Sequence, residues 1–208
     1  MALKYQRILL KISGEALGGE MGMGFDEPTM DAICGGVKKA HDLGVQIGMV
    51  VGGGNFWSGR SSGKMERTLA DKIGMLATVM NALAVSDKLE QLGVPTEVFT
   101  SITMPQVAQP FTRKDALRAV EVSADVMFKA TMVDGVYDKD PHKYADAKKY
   151  DTLTFTKVLE DQLAVMDGTA ATLCRDNKLP ILVFDLADPD NIARAVQGEN
   201  VGTLVYEG

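Results

Sequence analysis

The chain has 208 residues, 46% of them apolar and 24% charged, which is typical of a globular protein able to bury a sizeable core. Its 28 acidic residues outnumber its 22 basic ones, which argues against nucleic acid as a partner, so any bound anion needs local groups. The two cysteines, Cys34 and Cys174, lack metal-ligand spacing and favour a reducing compartment over a disulfide scaffold.

The first predicted elements form a β-α-β unit. The apolar run at the amino end is too short for a signal peptide, and we expect no membrane-spanning stretch and a cytoplasmic protein. Arg7 to Ile12 predicts a short buried strand that leads into a turn containing glycine. A helix follows, capped around Asp26 and Pro28 and continuing to about Leu43, and Val45 to Val51 predicts the next strand.

The second strand runs directly into Gly52, Gly53 and Gly54. Residues without side chains let main-chain N–H groups approach a ligand, and ligands of open parallel sheets bind at the carboxyl ends of strands. This run therefore predicts an anion site, with an ordinary tight turn as the alternative. The first strand ends in a similar way, at Lys11, Ser13 and Gly14.

A long helix is predicted from about Thr68 to Gln91, and its apolar residues surround it on nearly every side. Such a helix must be covered on both faces. A subunit interface and a position central to the chain's own core account for this pattern equally well.

The remainder of the chain alternates strands with helices. The predicted strands are Thr96 to Thr100, Ala124 to Lys129, Pro180 to Phe184 and Thr203 to Val205; the predicted helices begin near Arg113 to Arg118 and span Thr169 to Asn177 and Asn191 to Val196. Two turns are expected, at Asp134 to Tyr137 and at Asp138 to Pro141. This alternation predicts one α/β domain with a doubly wound, mainly parallel sheet sandwiched by helices.

The two common nucleotide motifs are missing. Gly59 and Gly63 precede Lys64, but their spacing is too short for a Walker A loop and Met65 stands where serine or threonine is required. The glycines from Gly19 to Gly24 also lack the spacing of a dinucleotide fingerprint. The phosphate-binding pattern that remains is a pair of strand ends with glycine, one of which carries a lysine.

Seven groups of residues along the chain form a recognisable set of motifs. They are Lys11 with Ser13 to Glu15, Gly52 to Asn55, Asp71 with Gly74 to Asn81, Lys129 to Thr131, Val133 to Tyr137, Asp140 with Pro141, and Val165 to Asp167. These motifs closely resemble those of the bacterial UMP kinases, a group with the amino acid kinase fold. The resemblance covers nearly the whole chain.

The resemblance implies transfer of the ATP γ-phosphoryl group to UMP with Mg²⁺, giving UDP and ADP in pyrimidine nucleotide biosynthesis. By similarity, Lys11 is the catalytic cation, and no residue is expected to be a metal ligand. The implied ATP-binding residues are Lys11, Ile12, Ser13, Gly14, Gly54, Thr131, Tyr137 and Asp140, and the implied UMP-binding residues are Gly53 and Asp71. Lys129 is an additional candidate cation, with a surface lysine as the alternative.

The resemblance also implies regulation and assembly. Members of the group are activated by GTP, inhibited by UTP and assembled as homohexamers. The residues that correspond to part of the GTP site are Gly19, Glu20, Met21, Gly22, Met23 and Gly24. From its residues alone this segment is a mobile loop.

Two departures from the group's pattern stand out. Ser58 replaces an arginine that, in the group, reaches the ATP phosphates. Either Arg60, two residues on, substitutes for it, or turnover is lower and Ser58→Arg raises it. An unchanged rate in Ser58→Arg would show that the phosphates do not need an arginine at this position. The group also has a strand, an acceptor loop for the UMP phosphate and a helix between the positions of Arg118 and Ala119. Loss of a central strand should disrupt both sheet and site, so we predict that a segment is missing at this junction.

Two alternatives remain open at this point. One is a non-catalytic nucleotide-binding or anion-storage protein of the same fold, because Ser58 and the missing acceptor loop weaken the case for catalysis. The other is a different kinase of the superfamily, acting on carbamate, aspartate or acetylglutamate. Asp71 and the helix sequence that follows it favour UMP.

Overall fold

The structure is a computed structural model that describes residues 3–57, 65–112, 124–163, 165–166 and 168–208. Three predictions therefore lie outside the described residues: the role of Ser58, the helix beginning near Arg113 to Arg118, and the junction between Arg118 and Ala119.

The described elements follow one another as strands and helices along the chain. The strands are β1 (Arg7–Ile12), β2 (Gln46–Val51), β3 (Phe99–Thr100), β4 (Gln109–Pro110), β5 (Val126–Thr131), β6 (Val136–Tyr137), β7 (Lys149–Tyr150), β8 (Thr152–Thr154), β9 (Ile181–Asp185) and β10 (Gly202–Tyr206). The helices are α1 (Gly14–Leu17), α2 (Glu27–Asp42), α3 (Arg67–Gln91), α4 (Phe155–Glu160), α5 (Gly168–Asp176) and α6 (Asn191–Val196), with a 3₁₀ turn at Gly19–Met21.

Six strands form the main sheet in the order β2-β1-β5-β9-β10-β8. β2, β1, β5 and β9 are mutually parallel, β10 runs antiparallel to β9, and β8 is parallel to β10. The predicted doubly wound, mainly parallel sheet is confirmed. The main sheet is continuous from β2 to β8.

Helices cover the sheet on both faces, and β9 shows the division. Leu182 and Phe184 point into a core shared with α2, α6 and part of α3, whereas Ile181 and Val183 point into a second core with α4 and α5. Alternate residues of a strand face opposite sides, so one short apolar strand contributes to both cores. Both cysteines are buried and free, as expected.

The predicted amino-terminal β-α-β unit is confirmed. It was predictable because local interactions set its boundaries. The Asp26 carboxylate accepts a hydrogen bond from the main-chain N–H of Thr29 at 3.0 Å and caps α2, with Pro28 in the first turn. Gly44 follows α2 with a φ of +90°, a conformation that glycine adopts without strain.

The predicted strand from Thr96 to Thr100 is largely wrong. Phe99–Thr100 alone is a strand, and it pairs with Gln109–Pro110 rather than with the main sheet. Thr96 is instead held against α3, since its hydroxyl lies 2.5 Å from the Ser86 hydroxyl and donates to the Glu90 carboxylate at 3.1 Å. These contacts keep the chain away from β2.

The turn predicted at Asp134 to Tyr137 is partly wrong as well. Val136–Tyr137 form β6, which pairs antiparallel with Lys149–Tyr150 of β7. The Thr203 hydroxyl accepts from the main-chain N–H of Val136 at 2.8 Å and anchors this hairpin to the main sheet.

The expectation that no stretch reaches membrane-spanning length is wrong for α3. Among the described residues, α3 alone has the length and composition of a membrane-spanning helix. Just 28% of its most apolar window is buried. Core helices of soluble proteins can have the same length and composition. On its inner side, α3 packs against α2 and β2. Its outward side carries large apolar residues that are about half exposed: Leu69, Met75, Leu76 and Met80. The helix is therefore not wholly internal to the described part of the chain.

Candidate functional site

Two strand ends meet at the carboxyl edge of the sheet. Ser13 follows β1 and caps α1, its hydroxyl accepting from the main-chain N–H of Ala16 at 3.3 Å. A Cβ atom at Gly14 would lie 2.5 Å from the Gly54 nitrogen and 2.6 Å from the Gly52 oxygen. Since real Cβ atoms do not approach main chain so closely, glycine is required here. We call this contact of Gly14 with Gly52–Gly54 the glycine junction.

The glycine junction is held in place by two buried asparagines. The Asn81 amide of α3 donates to the Gly52 carbonyl at 2.6 Å and to the Asn55 side-chain oxygen at 2.6 Å, and Asn55 donates back to Asn81 at 3.1 Å. Both side chains are almost completely buried. Buried amides that satisfy one another in this way fix the position of the main chain around them.

Sequence analysis missed the role of these asparagines. The available signal was Asn81 itself, a polar residue inside a helix that is otherwise apolar on nearly all sides. Its partner, Asn55, is 26 residues away, so the pairing depends on how α3 packs and local patterns do not reveal it.

The predicted UMP-binding residues lie on the α3 side of the glycine junction. A Cβ at Gly53 would lie 2.6 Å from the Gly74 carbonyl and 2.9 Å from the Ala77 side chain, so Gly53 sits directly on α3. Asp71 is three residues before Gly74 and therefore lies on the same side of the helix. Its carboxylate is largely exposed and 4.0 Å from Arg67.

Two lysines lie side by side on neighbouring strands at this edge. Lys11 of β1 is in register with Lys129 of β5, so both side chains project from the same face. The Lys129 ammonium donates to the Val165 carbonyl. Burial, and then the positive charge of Lys11, lower the pKa of Lys129 to about 8. Lys129 is therefore partly buried beside Lys11 and is not a surface lysine.

The predicted residues for the ATP nucleoside follow β5. Thr131 ends β5 beside Asp185 of β9, and its hydroxyl donates to the Val133 carbonyl at 2.9 Å. The Tyr137 hydroxyl donates to the Asp134 carboxylate at 2.7 Å.

Asp140 lies in the turn after β6, and its carboxylate is engaged locally. It accepts from the main-chain N–H of His142 at 3.0 Å and pairs with Lys143 at 3.2 Å. These two contacts lower the pKa of Asp140, which keeps the carboxylate ionised as a hydrogen-bond acceptor at neutral pH.

The segment from Gly19 to Gly24 is connected to the glycine junction. It begins as a 3₁₀ turn at Gly19–Met21, and Gly22 and Gly24 have positive φ. The Gly24 N–H donates to the Asn55 carbonyl at 2.9 Å, and the Asn55 side chain donates to the Gly24 carbonyl at 2.7 Å. Met21 and Met23 are exposed. The end of this loop therefore shares a residue with the asparagine pair.

Among the described residues, no group of three or more His, Cys, Asp or Glu is placed to hold a metal ion. The edge of the sheet offers main-chain groups and two ammonium groups, with the Glu15 carboxylate packed against Gly54. This chemistry suits an anionic ligand that brings its own metal, because Mg²⁺ is commonly held by phosphate oxygens and water.

The family comparison agrees with this geometry. The model of the amino acid kinase family matches residues 6–115 and 114–185. The chain therefore belongs to the amino acid kinase family, and the fold and site together define a kinase.

Several solved structures that are similar to this chain are UMP kinases. UMP kinase from Bacillus anthracis is 31% identical with a TM-score of 0.92, over 98% of this chain and 96% of that one. UMP kinase from Ureaplasma parvum is 29% identical with a TM-score of 0.88, over 98% and 100%. Uridylate kinase from Archaeoglobus fulgidus is 27% identical with a TM-score of 0.66, over 95% and 99%.

Proposed function

We propose that this kinase transfers the γ-phosphoryl group of ATP to UMP, giving UDP and ADP for pyrimidine nucleotide synthesis. The observation that carries the proposal is the glycine junction next to Lys11 and Lys129, at the carboxyl edge of a parallel sheet. Similarity to UMP kinases over nearly the whole chain supports UMP as the acceptor.

The proposed reaction requires the protein to position the two substrates and to stabilise negative charge. Phosphoryl transfer needs the attacking and leaving oxygens held in line, and its transition state spreads negative charge over the equatorial oxygens. In the proposal, the segment Lys11–Gly14 and Gly54 hold the ATP phosphates, and the Lys11 ammonium neutralises the group in transfer. Lys129 adds a second cation beside it. Mg²⁺ bound to the ATP phosphates supplies further charge stabilisation.

The two nucleosides are assigned to opposite sides of the glycine junction. Gly53 and Asp71 are proposed to hold UMP, with the Asp71 carboxylate accepting hydrogen bonds from the ribose hydroxyls. Thr131, Tyr137 and Asp140 are proposed to hold the nucleoside of ATP. The tyrosine ring offers an apolar face to the base, and the ionised Asp140 carboxylate accepts a hydrogen bond from a hydroxyl of the nucleoside.

The proposal also includes regulation, assembly and location. GTP is proposed to act at Gly19–Gly24, which reaches the glycine junction through Asn55, with UTP as inhibitor. The exposed apolar side of α3 supports assembly with further copies of the chain, and a homohexamer in the cytoplasm is expected.

A coupled assay of ADP release tests the proposed function. UMP, CMP, aspartate, acetylglutamate and carbamate are supplied separately with ATP and Mg²⁺. We expect turnover with UMP to exceed turnover with every other acceptor. Nucleotide binding without ADP release would favour a non-catalytic binder, and preference for an amino acid or carbamate would favour another kinase of the superfamily.

A further inference from the structure

Strands β6 and β7 form a small hairpin that is separate from the main sheet. The hairpin carries Tyr137, and the turn after β6 carries Asp140, so two of the three residues proposed for the ATP nucleoside depend on it. Val136 is buried in the core with α4 and α5, and Tyr137, the next residue of the strand, faces the other way. The position of Tyr137 is therefore set by whatever holds the hairpin.

One buried hydroxyl joins both strands of the hairpin to the main sheet. Thr203 lies on β10 opposite Val183 of β9, and it is completely buried. Its hydroxyl accepts from the main-chain N–H of Val136 at 2.8 Å and donates to the main-chain carbonyl of Tyr150. A hydroxyl has one proton to donate and lone pairs to accept with, so a single side chain satisfies one group of β6 and one of β7.

Gly135 lets the hairpin approach Thr203 this closely. A Cβ atom at Gly135 would lie 2.5 Å from the Thr203 hydroxyl oxygen and 3.0 Å from Cδ of Lys149. The main chain before β6 can therefore rest on Thr203 because residue 135 has no side chain. The hairpin is held against β10 by these specific contacts in addition to the apolar packing of Val136.

The Tyr137 side chain is held by a second set of contacts on the outside of the hairpin. Its hydroxyl donates to one oxygen of the Asp134 carboxylate at 2.7 Å, and the Lys149 ammonium donates to the other oxygen at 3.0 Å. Lys149 is the residue opposite Tyr137 in the β6–β7 pair. The carboxylate thus connects the tyrosine to the facing strand.

This bond also sets the ionisation of both partners. The hydrogen bond from Tyr137 is the main cause of a lowered pKa at Asp134, and the same bond raises the pKa of Tyr137. The acceptor is therefore ionised and the phenol neutral at physiological pH. A tyrosine fixed at its Cα by a strand and at its hydroxyl by a carboxylate has little freedom to turn its ring.

We propose that Thr203 and Asp134 are positioning residues for the nucleoside of ATP, and that both act through Tyr137. Thr203 fixes the hairpin against the main sheet, and Asp134 fixes the direction of the tyrosine ring. This rests on the proposed function, in which Tyr137 holds the nucleoside. A ring that is already in place loses little freedom when a base packs on it, so its positioning contributes to nucleoside affinity.

The phosphate side of the proposed site has separate support. The segment Lys11–Gly14 and Gly54 are held by the glycine junction and the asparagine pair, and none of those contacts involves Thr203 or Asp134. Loosening the hairpin should therefore weaken the hold on the nucleoside and leave the hold on the phosphates unchanged. A role in general stability alone would affect both ligand parts alike.

Calorimetric binding of ATP and of inorganic triphosphate, each with Mg²⁺, tests the proposal. Thr203→Val removes the hydroxyl at nearly constant shape, and we expect it to weaken ATP binding roughly tenfold with triphosphate binding unchanged. Thr203→Ser keeps the hydroxyl and should restore most of the ATP affinity. Thr172→Val removes an exposed hydroxyl that bonds within α5, and as the matched control it should change neither ligand.

A second pair of variants is on the exposed side of the hairpin, where a failure to fold is not expected. Asp134→Ala and Tyr137→Phe remove the two ends of one hydrogen bond, and each should weaken ATP binding by roughly threefold to tenfold. The double variant should bind no more weakly than the weaker single variant, because the two changes remove the same contact. In turnover with UMP, the loss should appear in the KM for ATP with kcat little changed.

Several results would overturn the proposal. They are equal losses of ATP and triphosphate affinity in Thr203→Val, unchanged ATP affinity in that variant, and a wild type that binds ATP no more tightly than triphosphate. A Thr203→Val chain that does not fold would make Thr203 a stability residue, and additive losses in the second pair would exclude Asp134. The proposed function fails separately, if ATP binding follows these expectations and no UDP forms from UMP.

Discussion

The two sides of the glycine run are built in different ways. On the side of β1, Gly14 packs directly against Gly52 and Gly54, and a pair of buried asparagines fixes the contact. On the outer side, β2 borders an apolar groove lined by Val94–Phe99 and has no second neighbouring strand among the described residues. The packed side is closed by contacts within the described chain, whereas the groove side is open there. We therefore expect changes on the packed side to cost most.

Lys11→Ala should have the largest effect, and this effect should be on catalysis. Loss of the ammonium removes charge stabilisation from the transferred group, so the rate of ADP formation should fall by roughly two or more orders of magnitude. Thermal unfolding should change little, because Lys11 lies at the end of its strand. Lys38→Ala, which removes an exposed ion pair with Asp42, is the matched control and should keep its activity. Equal rates for the two variants would remove Lys11 from the mechanism.

Gly14→Ala should break the packed side directly. Its Cβ would press on the Gly54 nitrogen and the Gly52 oxygen, so the two strand ends must separate. We expect a loss of about 1–3 kcal/mol in the free energy of unfolding and up to ~100-fold in rate. Gly35→Ala in α2, where the added atom meets nothing within 4 Å, is the control. Similar urea midpoints and rates for both variants would show that the junction does not need to be this tight.

Asn81→Ala should loosen the same side by a smaller amount. It leaves the Gly52 carbonyl and the Asn55 oxygen without their donor, and a buried unsatisfied group costs about 1–3 kcal/mol. Asn177→Ala removes an exposed hydrogen bond to Leu173 at the end of α5 and should cost less. A double-mutant cycle of Asn81→Ala with Asn55→Ala measures the coupling, and purely additive losses would contradict a shared network.

The smallest expected effect is a pH dependence of ATP binding. Because the pKa of Lys129 is lowered to about 8, raising the pH through 8 removes a positive charge beside the phosphates. ATP affinity measured by calorimetry should then fall by roughly threefold to tenfold between pH 7 and 9.5. Lys129→Arg stays charged and should bind with little change over this range. A wild-type profile that is flat above pH 8 would show that Lys129 does not contact the nucleotide.

The same pKa shift has a defined sign for stability. The folded state lowers the pKa of Lys129 from the ordinary 10.5, so folding disfavours its charged form. Its contribution to the free energy of unfolding therefore becomes more favourable as the pH rises from about 8 toward 10.5.

The elements whose ends are set by local interactions could be predicted from the sequence. The first strand, α2 with its Asp26 cap, β2 and α3 were predictable because caps, glycines and apolar periodicity mark their ends. Both strand ends were predicted to contain glycine, but the contact of Gly14 with Gly52–Gly54 appears only in the structure. The placement of Lys129 beside Lys11 required the register of β5, which apolar pattern alone does not give.

The parts that could not be predicted depend on packing between distant residues. Thr96 was expected in a strand, but its hydroxyl is bound to α3 and the segment never reaches β2. The pairing of Asn55 with Asn81 is another contact between separate elements. The open edge of β2 likewise becomes visible only when all strands of the main sheet are in place.

A structure of the protein with UMP and a non-hydrolysable ATP analogue tests the central claim most directly. The account predicts the γ-phosphate of the analogue within hydrogen-bonding distance of Lys11 and the main chain of Gly14 or Gly54, with the UMP ribose at Asp71. Phosphates bound elsewhere, or a glycine junction left empty at saturating concentrations of both ligands, would contradict it.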